Sequence, residues 1–162
     1  MPPFDIRVFG DPVLKTPTLE VTEFDGALQR LVEDMLETMY AAPGVGLAAN
    51  QVGIQKRMFV YDIGEGPGVV VNPTIHETSG EWTYDEGCLS VPGLYWPIVR
   101  PQFVHLAGFD SHGNAIEFEA DDLMARMLQH EVDHLDGTLL LSRLTPEQRK
   151  EAMRELRERA TR

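Results

Sequence analysis

Hydrophobic positions along the chain change period twice. Between residues 25 and 42, Leu28, Leu31, Val32, Met35, Leu36 and Met39 recur at the spacing of one helix face, which predicts an amphipathic helix. Asp25 can cap its start, and Pro43-Gly44 ends it. The period then shortens. "RMFVYDI" (57–63), "GVVVNPTI" (68–75), "FVHLAGF" (103–109) and "AIEFEA" (115–120) are apolar or alternating runs separated by Gly, Pro and Asp, the pattern of strands. "DSHGN" (110–114) reads as the hairpin turn joining the last two. Helical spacing returns near Asp121 and runs to about Leu135, with Gly137 placed for a C-terminal cap. A last helix starts at Thr145, with Pro146 in its first turn and Gln148 completing a capping box. Only Met153 and Leu156 give it an apolar stripe, so most of it is expected in solvent.

Strands clustered between helices, without regular βαβ alternation, predict an α+β fold. We expect mixed or antiparallel sheets packed around a central helix over 121–135, followed by the C-terminal helix. A chain of 162 residues can bury a core without covalent staples. No repeat, low-complexity tract or linker interrupts it, so residues 1–162 are expected to form a single domain, with 145–162 partly solvated.

Composition narrows the function classes. No run approaches the ~18 apolar residues of a membrane span. The first fifteen residues lack the basic flank and apolar stretch of a secretory signal. Net charge is −12, unevenly placed: residues 145–162 hold six Lys/Arg and four Asp/Glu, leaving eight and twenty-two in the first 144. That acidic body argues against sequence-specific or broad nucleic-acid binding, which needs a cationic surface. Its mildly basic tail leaves room for a small polyanionic contact. Cys88 is the only cysteine, so no intramolecular disulfide forms, as suits a reducing cytosol. By residue type it reads first as a small buried hydrophobe.

Candidate chemistry sits in "LQHEVDHLDGTLL" (128–140). His130 and His134, four apart on a helix, can aim two imidazoles at one ion. Glu131, rotated by about 100 degrees, flanks them without being a ligand, a position suited to proton transfer. Leu123 and Met127 precede His130 at helical spacing, which places the histidines on the core-facing stripe. Buried ring nitrogens there need partners, at about 1–3 kcal/mol for each left without one. Asp133 and Asp136 are the nearby acceptors in sequence. One class of zinc proteases continues this pattern to a third histidine, but Leu140 stands at that position. The third ligand therefore comes from outside the helix, with His76, His105, His112, Glu151, Glu155 and Cys88 as candidates. Cys88 lies in "DEGCLSVPG", where Gly87 and Pro92-Gly93 interrupt extended structure and can turn a thiol toward a neighbouring helix.

Three segments together, "GVGLAANQ" (44–51), "EGCLS" (86–90) and "QHEVDHLDG" (129–137), resemble the peptide deformylase family. The likeness covers most of the chain, from "VFGDPVL" onward, and is weakest in the last helix. It implies one divalent metal held by Cys88, His130 and His134, ferrous iron in the cell, with zinc, nickel or cobalt able to replace it. It implies Glu131 as general base and acid, with Gln51 and the backbone N–H of Leu89 stabilising the oxyanion. A substrate cleft is implied at Gly44, Val45, Gly46, Tyr84, Glu86, Gly87, Arg100, Leu123, Arg126 and Met127. The substrate implied is the formylated methionine of a nascent polypeptide, met in the cytoplasm, with the last helix as a contact to the ribosome. "GLYWPIVRP" (93–101) departs from the family pattern, and Leu94 to Trp96 either shape the cleft mouth or pack beside it. Two other readings stay open at this point: an H-E-x-x-H metallopeptidase that cleaves peptide bonds, and a metal-stabilised binding module without turnover.

Overall fold

The computed structural model describes residues 2–161. Helix α1 (Gly26–Ala41) starts where Asp25 accepts a 3.0 Å bond from the Leu28 N–H, as its sequence predicts. Strands β1 (Gly46–Ala48), β2 (Met58–Tyr61), β3 (Gly68–Ser79), β6 (Phe103–Phe109) and β7 (Ala115–Asp121) form one sheet in the order β1-β2-β3-β6-β7. Strands β4 (Trp82–Cys88) and β5 (Val91–Arg100) form a separate two-stranded hairpin. Every pairing between these strands is antiparallel.

The sheet is buried on both faces near β2, which explains why that segment is continuously apolar. Met58 and Val60 pack with α1 residues Leu28, Met35 and Met39, whereas Phe59 points the other way toward α2 (Asp122–Leu135). β3 repeats the split, with Val71 on the α1 side and Val70 on the α2 side. Ala125, Leu128, Val132 and Leu135 fix α2 to the sheet. Helix α2 is thus enclosed on nearly all sides, and the polar residues it carries are held in a low-dielectric setting.

Helix α3 (Pro146–Ala160) begins with the expected capping box: Gln148 N–H donates to Thr145 Oγ1 and Gln148 Oε1 accepts from the Thr145 N–H. Its anchor is Ala152, fully buried against Ile98, Leu140, Leu141 and Leu144, with Met153, Leu156 and Trp96 around it.

The strand expectation missed the short β1 as well as β4 and β5. Glycine and proline in "DEGCLSVPGLYWPIVRP" read as interruptions, yet the segment is a hairpin with a register shift between Gly87 and Cys88 and a Leu89-Ser90 turn. Proline is tolerated in β5 because the hairpin has only two strands, so each strand has a free edge. By sequence Leu123 fits both the core stripe and the implied substrate cleft. It is 38% exposed, one turn above buried Met127, because the first turn of α2 projects beyond the sheet.

Gly137 follows α2 with φ +74°, and a Cβ there would lie 2.6 Å from the Lys15 carbonyl oxygen. Gly137→Ala combines a left-handed backbone with a clash against main chain. We expect it to cost about 1–3 kcal/mol, read as a lower urea midpoint, with an unchanged midpoint contradicting this account of the helix end.

Candidate metal centre

Helix α2 places the imidazoles of His130 and His134 one turn apart, with ring centroids at 4.8 Å and Nε2 atoms at 3.1 Å. Cys88 closes β4, and its Sγ lies 3.2 Å from His134 Nε2. All three donor atoms fall within 4.8 Å of one another. The register shift just before Cys88 frees its thiol from the alternation of the ladder. None of the other candidate ligands reaches this point. His76 and His105 pack against each other on the sheet, with ring centroids at 5.9 Å, and His105 pairs with Glu117. His112 sits in the β6–β7 turn, while Glu151 and Glu155 lie on α3 beside Arg154 and Arg159.

This donor set fits a borderline divalent ion. Four-coordinate ions with bonds of about 2.0–2.3 Å hold their donors about 3.3–3.6 Å apart, close to the 3.1 and 3.2 Å between these atoms. Burial pushes the Cys88 thiol up, but the imidazoles of His134 and His130 outweigh it and hold its pKa well below the usual thiol range. Burial likewise opposes charge on His130, and the Cys88 sulfur and Glu86 carboxylate override it, raising its pKa well above the ordinary value. These opposed shifts favour negative charge on the sulfur and positive charge beside it, the balance that a bound cation would satisfy.

Glu86 orients the centre. Its Oε1 lies 2.6 Å from His130 Nδ1, which leaves His130 Nε2 for the donor cluster. The same carboxylate accepts a bidentate pair from Arg100 at 2.7 and 2.9 Å and a further bond from Arg126 at 2.9 Å. Burial raises the Glu86 pKa, but His130 and Arg100 reverse that and hold it far below the usual carboxylate range. Arg100 continues to Asp133 at 2.8 Å, and Asp133 to Arg143. The acceptor behind His130 is therefore Glu86 on β4, while Asp133 and Asp136 serve Arg100, Arg143 and Arg57. Among the described residues His134 Nδ1 has no partner, but its backbone carbonyl accepts from Asn50 Nδ2 at 2.5 Å.

A cleft of about 640 Å³ opens onto Cys88, His130, Glu131 and Gln51. Gln51, fully buried, accepts from the Ala48 N–H at 2.9 Å, which aims its Nε2 at Ser90 Oγ (3.1 Å) and Cys88 Sγ (3.8 Å). Leu89 is the next residue in the hairpin turn. The N-terminal segment braces both elements, with Arg7 N–H donating to the Gln51 carbonyl and Phe9 N–H to that of Ser90. Nothing in the sequence alone signals that strap. Glu131 is buried, its Oε1 has no partner among the described residues, and burial raises its pKa against the pull of His130 and His134.

A family model described as polypeptide deformylase matches residues 3–150. The chain belongs to the peptide deformylase family. A peptide deformylase of Acidothermus cellulolyticus is 52% identical over 153 residues, covering 94% of this chain and 85% of the relative. One from Clostridium botulinum is 50% identical over 141 residues, covering 87% and 96%. Among solved structures, the peptide deformylase of Legionella pneumophila superposes with a TM-score of 0.92 at 40% identity over 98% of this chain and 95% of that one. The Synechococcus elongatus deformylase, solved with actinonin, gives 0.91 at 41% identity over 96% and 86%. Deformylases are metal-dependent hydrolases that remove formyl groups from nascent peptides, and that is the activity of this family member.

The other residues the resemblance singled out divide into two groups. Gly44, Val45, Gly46, Tyr84, Gly87, Leu123 and Met127 line the deformylase cleft. Glu86 and Arg126 also reach it, but their polar atoms are largely spent inside the protein: Arg126 donates to Glu86, Ile98 O and Trp82 O and stacks near the Trp82 and Tyr84 rings. Arg100 does not line the cleft. Its guanidinium lies behind the centre, fully engaged by Glu86 and Asp133, which corrects its assignment to substrate contact. In the departing segment Leu94 and Tyr95 line the cleft, with Tyr95 lying over Gly87, while Trp96 turns away to pack under α3.

Glu86→Gln removes the charge that two buried guanidiniums share, so about 3–5 kcal/mol of stability is expected to go at neutral pH. Because the folded-state pKa of Glu86 is depressed, the wild-type margin is complete above the unfolded value of about 4.3 and shrinks as pH falls toward the folded one. Urea unfolding of both proteins between pH 7 and pH 3 checks this, and a margin that grows on acidification contradicts it.

Proposed function

We propose that this deformylase works through Cys88, His130 and His134 as the ligands of one ferrous ion, with Glu131 as proton carrier and Gln51 and Leu89 as oxyanion donors. The observation that carries the reading is a cluster of three donors, two of which (Cys88 and His130) line a cleft that also holds Glu131, with an unpartnered carboxylate oxygen, and the aimed amide of Gln51. A bound divalent ion would polarise the formyl oxygen and bring the pKa of water toward ~7. A thiolate with two imidazoles suits iron, zinc, nickel or cobalt, and iron follows from the family likeness.

The remaining chemistry belongs to this chain's own groups. Glu131 takes the proton of the attacking water at its carboxylate and returns it to the leaving amine nitrogen. Burial raises its pKa above the ordinary carboxylate value, the direction that suits a group which must also carry a proton. Gln51 donates from Nε2 to the oxygen that becomes negative as the formyl carbon turns tetrahedral, joined by the Leu89 N–H. Deleting one such donor elsewhere has cost about 2.7–4 kcal/mol in the barrier. Val45, Tyr84, Leu123 and Met127 give the methionine side chain an apolar slot, and Gly44 to Gly46 offer extended backbone to the peptide. Glu86 and Arg126 act from behind this slot.

The same reading makes residues 1–162 one catalytic domain that meets formylated nascent chains in the cytoplasm. No helix among the described residues is long and apolar enough to cross a membrane. A contact between the ribosome and α3 draws support from the exposed Arg-rich face of that helix, which only Ala152 anchors deeply.

Two variants test the assignment. Cys88→Ala is expected to lose stoichiometric metal, measured by elemental analysis after anaerobic purification, and unchanged metal content would remove Cys88 from the ligand set. Glu131→Ala is expected to keep the metal while formate release from a formyl-Met peptide falls by about 10²–10⁴-fold. Cleavage of an internal peptide bond by the wild type, without formate, would instead point to a metallopeptidase.

A further inference from the structure

Gly46 approaches Glu131 more closely than any side chain would allow. A Cβ built on it would stand 2.5 Å from Glu131 Oε2, 2.9 Å from Cδ and 3.2 Å from Cγ. The Oε2 side of the Glu131 carboxyl group therefore rests on the α-carbon of Gly46. We infer that Gly46 is a positioning residue for deformylation: its missing side chain is the seat that holds the Glu131 carboxylate in the cleft. This rests on the reading of Glu131 as the proton carrier.

The backbone at Gly46 does not need glycine for its own sake. Its φ lies outside the left-handed region, and it sits in β1 paired with Tyr61 of β2. The adjacent Val45 carbonyl is held by the Asp62 N–H at 2.9 Å. An alanine is therefore conformationally acceptable there, and the strand cannot step back to make room. Helix α2 cannot retreat either, since Ala125, Leu128, Val132 and Leu135 bind it to the sheet. What can move is the carboxylate, whose Oε1 has no hydrogen bond to hold it among the described residues. Ordinary contact would require a shift of roughly 1 Å, a misplacement on the scale that can cost about 100-fold in an ordered site.

This separates Gly46 from its neighbour in the same loop. A Cβ on Gly44 would meet the Leu89 side chain at 2.6 Å, and on Gly46 the base itself. The loop thus contacts each reactive element through a separate glycine.

A double-mutant cycle on the metal-loaded enzyme tests the inference, using Gly46→Ala, Glu131→Asp and the double variant, with formate release from a formyl-Met peptide as readout. Gly46→Ala is expected to keep metal stoichiometry, to lower kcat ten-fold or more and to leave KM within about two-fold. In the Glu131→Asp background the shorter carboxylate frees the space, so the same substitution should cost less than about three-fold. Losses that multiply independently across the cycle, or a change confined to KM, overturn the positioning role. If Gly46→Ala folds poorly, the urea midpoint becomes the readout: adding Glu131→Ala restores it when the clash is with the carboxylate, and no restoration overturns the proposal. Glu131→Ala alone identifies the other failure. Full turnover in that variant removes the base role and the inference together, whereas an inactive Glu131→Ala with a multiplicative cycle removes only the inference.

Discussion

A single buried carboxylate, Glu86, binds two guanidiniums and one imidazole at once, and the rest of the site is arranged around it. Arg100 meets it through two bonds from the end of the same hairpin, Arg126 reaches it from α2, and His130 Nδ1 closes the set. These contacts pin the β4–β5 hairpin to α2, two elements with no shared sheet to hold them. They also set which ring nitrogen of His130 faces Cys88. Without Glu86, two cations would be buried without adequate counter-charge, and the hairpin bearing Cys88 would lose its main polar tie to the histidines. In the proposed centre, Glu86, Arg100 and Arg126 would act by holding the candidate ligands Cys88 and His130 in place.

Close approach is the second constraint. The loop from Gly44 to Gly46 lies in van der Waals reach of Leu89 on one side and Glu131 on the other, and Gln51 at its far end is aimed by the Ala48 N–H. Tyr95 lies over Gly87 in the same fashion. Glycine serves here through absent volume. The cleft walls are thin where the reacting groups must stand and thick where α1 and α2 press on the sheet.

Much of this was legible in the sequence where the information is local. Helical period, Asp25, Thr145 with Gln148, and Gly137 marked three helices, because caps and periodicity act over one or two turns. His130 and His134 announced their shared direction for the same reason. Spacing left the third donor of the cluster open, since Cys88 lies 42 residues from His130 and meets it only through the fold. The β4–β5 hairpin was obscured because its glycines and prolines are breakers in an inner strand but acceptable at an edge. Arg100 illustrates a different limit: the family resemblance implied a substrate contact, but its partners Glu86 and Asp133 come from two other elements that only tertiary structure brings together.

A single ion held by one sulfur and two imidazole nitrogens of this chain is the expected occupant of the Cys88–His130–His134 cluster. X-ray absorption at the iron edge, on enzyme loaded and kept without oxygen, tests that donor set most directly. One sulfur at about 2.3 Å and two histidine nitrogens at about 2.0–2.1 Å are expected, by analogy with zinc sites of the same donors. A shell of nitrogen and oxygen alone, with no sulfur, would contradict it.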